Sequence, residues 1–146
     1  MARYEHLPIY RDAYDLTVHI EKIVRNFSRY HKYTLGTDLR NKTRAVLERI
    51  IEANNTPNRG ELLLGLRQQL ESLKVLARLC HDSEAFGGGT KSYLHVAERM
   101  TGLARQNEGW IKAAGRADGS PQARPPGGES GVLVMEGEAV PSRVAT

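Results

Sequence analysis

The sequence predicts an all-α protein, an up-down-up-down four-helix bundle, on three observations. Four segments carry apolar residues at three- and four-residue steps, so each folds as a helix with one stripe to bury. The segments are similar in length. Only short connections separate them, which leaves sequential helices antiparallel. The 146 residues leave room for one domain with a modest core, placed at residues 1–114.

The first helix is expected to begin at Pro8, a residue tolerated where a helix has no amide hydrogen bond to lose. Ile9, Ala13, Leu16, Ile20, Ile23, Val24 and Phe27 fall on its narrow stripe. Leu7, Tyr10, Tyr14 and Val18 lie together on the opposite side as a second apolar strip. That strip reads either as tyrosines lying flat on a solvated face or as a subunit interface. Ser28–Lys32 is the first connection, at once basic and aromatic.

The second helix spans Tyr33–Asn55 and buries Leu35, Leu39, Val46, Leu47, Ile50 and Ile51. Arg40 and Arg44 line one edge of its stripe, Lys42 and Arg49 the other. Asn54 to Asn58 ends it, because these residues favour turns and the position before Pro57 resists helix. The third helix runs from near Asn58 or Arg59 to about His81, with Leu62, Leu63, Leu66, Leu70, Leu73, Leu76, Ala77 and Cys80 inward. Leu64, Val75 and Leu79 sit away from that stripe and give a second helix two apolar faces, which argues for an oligomer. Phe86–Gly89 breaks the chain before the fourth helix, Lys91–Ala114, whose seam is Tyr93, Ala97, Met100, Ala104, Asn107 and Ile111 with Leu103 and Trp110 beside it.

From Gly115 the character changes. Residues 115–146 hold six of the 14 glycines and four of the six prolines, with Val132–Met135 as the one apolar run, so this tail is expected to be disordered. The tail carries three of the 21 cations and four of the 17 acids, which leaves a net +5 on residues 1–114. Seven cations stand against Asp38 alone within residues 22–44, an excess that attracts an anionic partner.

Other chemistries find little support. Gly87–Ser92 resembles a phosphate loop, but Lys91 follows Thr90 and Ala85 sits where the first glycine belongs. No Glu-x-x-His occurs, and His6, His19, His31, His81 and His95 are dispersed, so no metal or cofactor is expected. Cys80 falls on a buried stripe and reads as a small core residue. A single cysteine forms no internal disulfide and fits a reducing compartment. No apolar run nears the roughly 20 residues a membrane span needs. The opening MARYEHLP lacks the apolar stretch of a signal peptide, so the expected location is the cytoplasm, away from membranes.

The remaining signal is basic and aromatic: Lys22, Arg25, Arg29, His31, Lys32, Arg40, Lys42 and Arg44 interleaved with Phe27, Tyr30 and Tyr33. Cations neutralise phosphates, and exposed rings stack on unpaired bases. The competing reading is a solvated surface, with Asp38–Lys42 and Arg44–Glu48 paired along the helix and Phe27 and Tyr33 in the core.

LPIYRDAYDLTVHIEKIVRNF, then YTLGTDLRNKTRAVLERIIEANN, then GWIKAA resemble the accessory variability determinant (Avd) proteins of diversity-generating retroelements. The resemblance covers residues 7–114 and is carried best by Tyr33–Gly36 with Asp38-Leu39. A related branch, the proteins encoded in ribosomal RNA intervening sequences, shows a Ser-Ile-x-x-Asn-Ile-Ala-Glu-Gly ending that Glu48–Asn55 lacks. The resemblance implies a homopentameric barrel of four-helix bundles with a basic surface. It implies a non-enzymatic accessory that binds a reverse transcriptase and RNA, and possibly DNA, in support of mutagenic cDNA synthesis.

Together these readings assign phosphate contact to Lys22, Arg25, Arg29, Lys32, Arg40, Lys42 and Arg44. They assign subunit contact to Leu7, Tyr10, Tyr14, Val18, Leu64, Val75 and Leu79. The alternatives are a protein-interaction bundle without nucleic-acid binding and a ribosomal intervening-sequence-type bundle protein.

Overall fold

A computed structural model describes residues 4–117, and the tail segment Val132–Met135 lies outside the described residues. The described chain is helical: a short 3-10 turn at Tyr4–His6, then α1 (Pro8–Arg25), α2 (Arg29–Lys32), α3 (Leu35–Asn54), α4 (Gly60–Asp82) and α5 (Gly89–Ala117). Two units divide the chain, Met1–Glu108 and Gly109–Thr146. The first holds α1 to α4 and most of α5. In the second, α5 continues to Ala117 and buries Ala114.

Pro8 opens α1 as expected, with Leu7 extended before it. Lys22 and Arg25 close that helix where the carbonyl end of its dipole favours cations. Boundaries differ from the sequence reading at the first connection and at α5, which runs Gly89–Ala117 rather than Lys91–Ala114. Ser28–Lys32 is not a plain connection, because Arg29–Lys32 coils into the short α2, with His31 and Lys32 amides donating to the Ser28 carbonyl. Tyr33 then ends α2 instead of starting α3, and the next long helix begins at Leu35. Thr34 breaks the path between them with φ −114° and ψ −88°.

The long helices of the first unit pack as a helical bundle with antiparallel neighbours. On α1 and α3, Glu21 meets Arg40; on α1 and α5, Asp12 accepts from Gln106 at 2.6 Å. On α4 and α5, Arg67 grips Glu108 through two bonds of 2.8 Å. Leu16 and Ile20, Leu39, Val46 and Ile50, Leu63, Leu66, Leu70 and Leu73, and Val96, Met100 and Leu103 fill the centre. Each such side chain contributes about 1.5–3 kcal/mol on leaving water, which outweighs the uncapped helix starts.

Polar residues enter the core where a backbone carbonyl of the same or a neighbouring helix accepts from them. Thr43 is buried because its hydroxyl donates to the Leu39 carbonyl at 2.6 Å. Asn107 donates from Nδ2 to the Leu63 carbonyl at 3.1 Å and so ties α5 to α4. Among the described residues no helix is long and apolar enough to cross a membrane.

Candidate nucleic-acid interface

The α1–α3 hairpin builds the basic surface. Its turn is anchored from below: Phe27 is buried edge-on against Phe86, ring centres 5.3 Å apart, and the Ser28 amide donates to the Ala85 carbonyl at 3.2 Å. With Phe27 inward, the residues that follow are turned to solvent. Tyr30 is 84% exposed and Tyr33 76% exposed, so of the two rings that the competing reading places in the core, Phe27 is buried and Tyr33 is open. Tyr33 sits outside both helices, where no stripe directs it inward.

A cleft of ≈ 270 Å³ opens beside this turn, lined by Glu21, Val24, Arg25, Lys32, Tyr33 and Arg40. Three of the seven cations named from sequence therefore share one concavity with an aromatic ring. Arg44 reaches the same place through Glu21, whose carboxylate accepts from Arg40 Nε at 2.9 Å and from Arg44 Nη2 at 3.3 Å. Arg44 thus turns to a residue 23 positions away on α1 rather than to Glu48 one turn along α3. Both pairs are about one-third to one-half exposed, so their worth to stability is small, about 0–1 kcal/mol. Their effect is geometric: Glu21 fixes the Arg40 guanidinium through Nε, and the remaining N–H groups of the fork suit a phosphate.

The other cations disperse. Lys42 lies on the opposite flank of α3, in a second cleft of ≈ 420 Å³ with Ala45, Arg49, Gly65, Gln68, Gln69 and Ser72. Lys22 is exposed and places its charge near His19, where His95 and Arg99 of α5 also act. Arg29 is exposed on α2. One run of cations in the sequence is divided between the two flanks of α3, because a helix turns about 100° per residue.

Glu21 was missed by the sequence reading. Its signal was available: on an antiparallel pair it falls opposite Arg40 and Arg44, but the register needed to see this comes from packing. Of the residues assigned to subunit contact, Tyr14, Val18, Leu64, Val75 and Leu79 are exposed. Leu7 and Tyr10 are half-buried, and Tyr10 lies between Tyr4 at 4.9 Å and Tyr14 at 6.0 Å. Burial and these neighbours raise the Tyr10 phenol above its ordinary 10.0.

Two further groups are chemically distinctive. Burial pushes the Cys80 thiol up to about 11, with the Asp38 charge adding to it, so the sulfur is protonated at neutral pH. His19 and His95 meet edge to face with ring centres 4.8 Å apart. No protein-family model matches the chain, and no curated protein matches it.

Proposed function

We propose that the protein is a non-enzymatic nucleic-acid-binding accessory, acting in the cytoplasm as a scaffold that holds RNA beside a reverse transcriptase. The observation that carries this reading is the cleft in which Arg25, Lys32 and Arg40 converge beside an open Tyr33. Guanidinium and ammonium groups around one concavity suit phosphate, and their affinity comes from counterion release. The resemblance of residues 7–114 to the accessory proteins of diversity-generating retroelements supplies the polymerase partner and the homopentamer. The exposed apolar residues on α1 and α4 support an oligomer.

Arg40→Glu with Arg44→Glu tests the reading. RNA binding weakens, and the slope of log affinity against log salt falls by about one unit for each lost phosphate contact. An affinity that stays the same from low to high salt removes nucleic acid from the proposal. Light scattering tests the assembly: a stable pentamer supports the barrel, and a clean monomer removes it.

The exposed strips on α1 and α4 also favour a second reading, a bundle that binds only a partner protein. Capture of that partner that resists nuclease but is lost in Tyr14→Ala or Val75→Ala supports it.

A further inference from the structure

Tyrosine rings normally lie against something. Tyr10 and Tyr4 contact each other, and Tyr93 stacks on His81 with ring centres 4.5 Å apart and planes within 9°. Tyr30 and Tyr33 are the two most open large apolar side chains among the described residues. Tyr30 touches His31 only edge to face, 4.9 Å away and 85° inclined. Tyr33 forms part of the cleft wall with Arg25, Lys32 and Arg40. An aromatic face left in water beside convergent cations is a platform for a flat group that carries a phosphate.

We propose that this site selects unpaired strands over duplex, with Tyr33 and Tyr30 stacking on bases while Arg25, Lys32 and Arg40 hold the adjoining phosphates. The inference rests on the nucleic-acid reading above and narrows it. Base faces are available only in an unpaired strand, since a duplex stacks them on each other. Charge placement points the same way. Three cations, Arg25, Lys32 and Arg40, converge on the cleft that Tyr33 walls, while Lys42 lines a different cleft.

The test compares a labelled 12-nucleotide oligouridylate with a 12-base-pair RNA duplex by fluorescence anisotropy at the same salt. The expected result is tighter binding of the single strand, by about tenfold or more. Tyr33→Ala and Tyr30→Ala each weaken the single strand by about tenfold and leave the duplex unchanged, while Tyr33→Phe retains the ring and the affinity. Both rings are exposed, so an unaltered melting curve verifies that the variants fold. Equal affinity for the two RNAs, or alanine variants that bind like the parent, overturns the inference. If Arg40→Glu with Arg44→Glu still lowers binding in that case, the nucleic-acid reading survives alone. Binding of neither RNA by the parent protein overturns both. Tyrosine variants that lose a protein partner instead of RNA assign the rings to protein contact and overturn it as well.

Discussion

Arg40 donates from Nε to Glu21 at 2.9 Å, and through this bond a carboxylate of α1 sits inside a cleft whose other charged residues, Arg25, Lys32 and Arg40, are all cations. The same carboxylate accepts from Arg44, so one acid serves two guanidiniums a turn apart on α3. Glu21→Gln keeps the size of the side chain and removes its charge. Nucleic-acid affinity is expected to rise severalfold at low salt, while stability falls by less than about 1 kcal/mol because the pair is half-exposed. Anisotropy and thermal melting check both. A loss of affinity would show that orientation of Arg40 outweighs the removed repulsion.

Two helical glycines should respond in opposite directions to alanine. A Cβ at Gly36 would lie 2.8 Å from Val24 Cγ1 and 3.3 Å from Phe27 Cδ2, in the tight crossing of α1 and α3. Both neighbours are buried, so Gly36→Ala is expected to cost about 1–3 kcal/mol. At Gly65 the close atom is Arg49 Nη1, 2.6 Å away, the far end of a side chain that swings into the second cleft. There the helix preference for alanine prevails, and Gly65→Ala gains about 0.5–1 kcal/mol. Urea unfolding of the two variants distinguishes the outcomes.

His19 gives the fold a dependence on acid. Burial holds its imidazole below the ordinary 6.5, and the positive charges of His95, Arg99 and Lys22 lower it further. Above 6.5 the ring is neutral in both folded and unfolded chains, and its share of stability is intact. As pH falls through 6.5 the unfolded chain takes up a proton that the folded one resists, and stability drops until the lowered folded value is passed. The melting temperature is expected to fall between about pH 7.5 and pH 5.5, and His19→Gln should flatten part of that decline. A decline of equal depth in the variant would place the acid sensitivity elsewhere.

Cys80 should be slow to react. Its thiol is buried in the α4 core and held near 11, so little thiolate exists at pH 8 and reagents reach it only when the bundle opens. A disulfide reagent is expected to label native protein far more slowly than urea-unfolded protein. Rapid labelling under native conditions would contradict both the burial and the raised value.

Much of the fold was legible from the chain alone. Pro8 as the start of α1, the inward Leu63–Cys80 stripe of α4 and the exposure of Leu64, Val75 and Leu79 all follow from periodicity. Periodicity works there because burial is a property of one helix face, and a face repeats every three or four residues. It fails at Tyr33, where the helix pattern begins two residues before the helix does, at Leu35. The α5 seam lies beside the expected one: Val96, Met100, Leu103 and Asn107 are buried, while Tyr93, Ala97, Ala104 and Ile111 are half-buried, because the neighbouring helices set how a helix is rotated about its axis.

The sequence by itself determined the helices, their inward stripes and the excess of cations around the first hairpin, since each depends on local spacing or composition. Only the tertiary structure decided which cations act together. Arg25, Lys32 and Arg40 share a cleft while Lys42 lines another, and Glu21 stands among the first set. Those relationships reach across the chain, as between Glu21 and Arg44, 23 positions apart. They are set by the antiparallel register of α1 against α3, which close packing at Gly36 fixes and no run of neighbouring residues encodes.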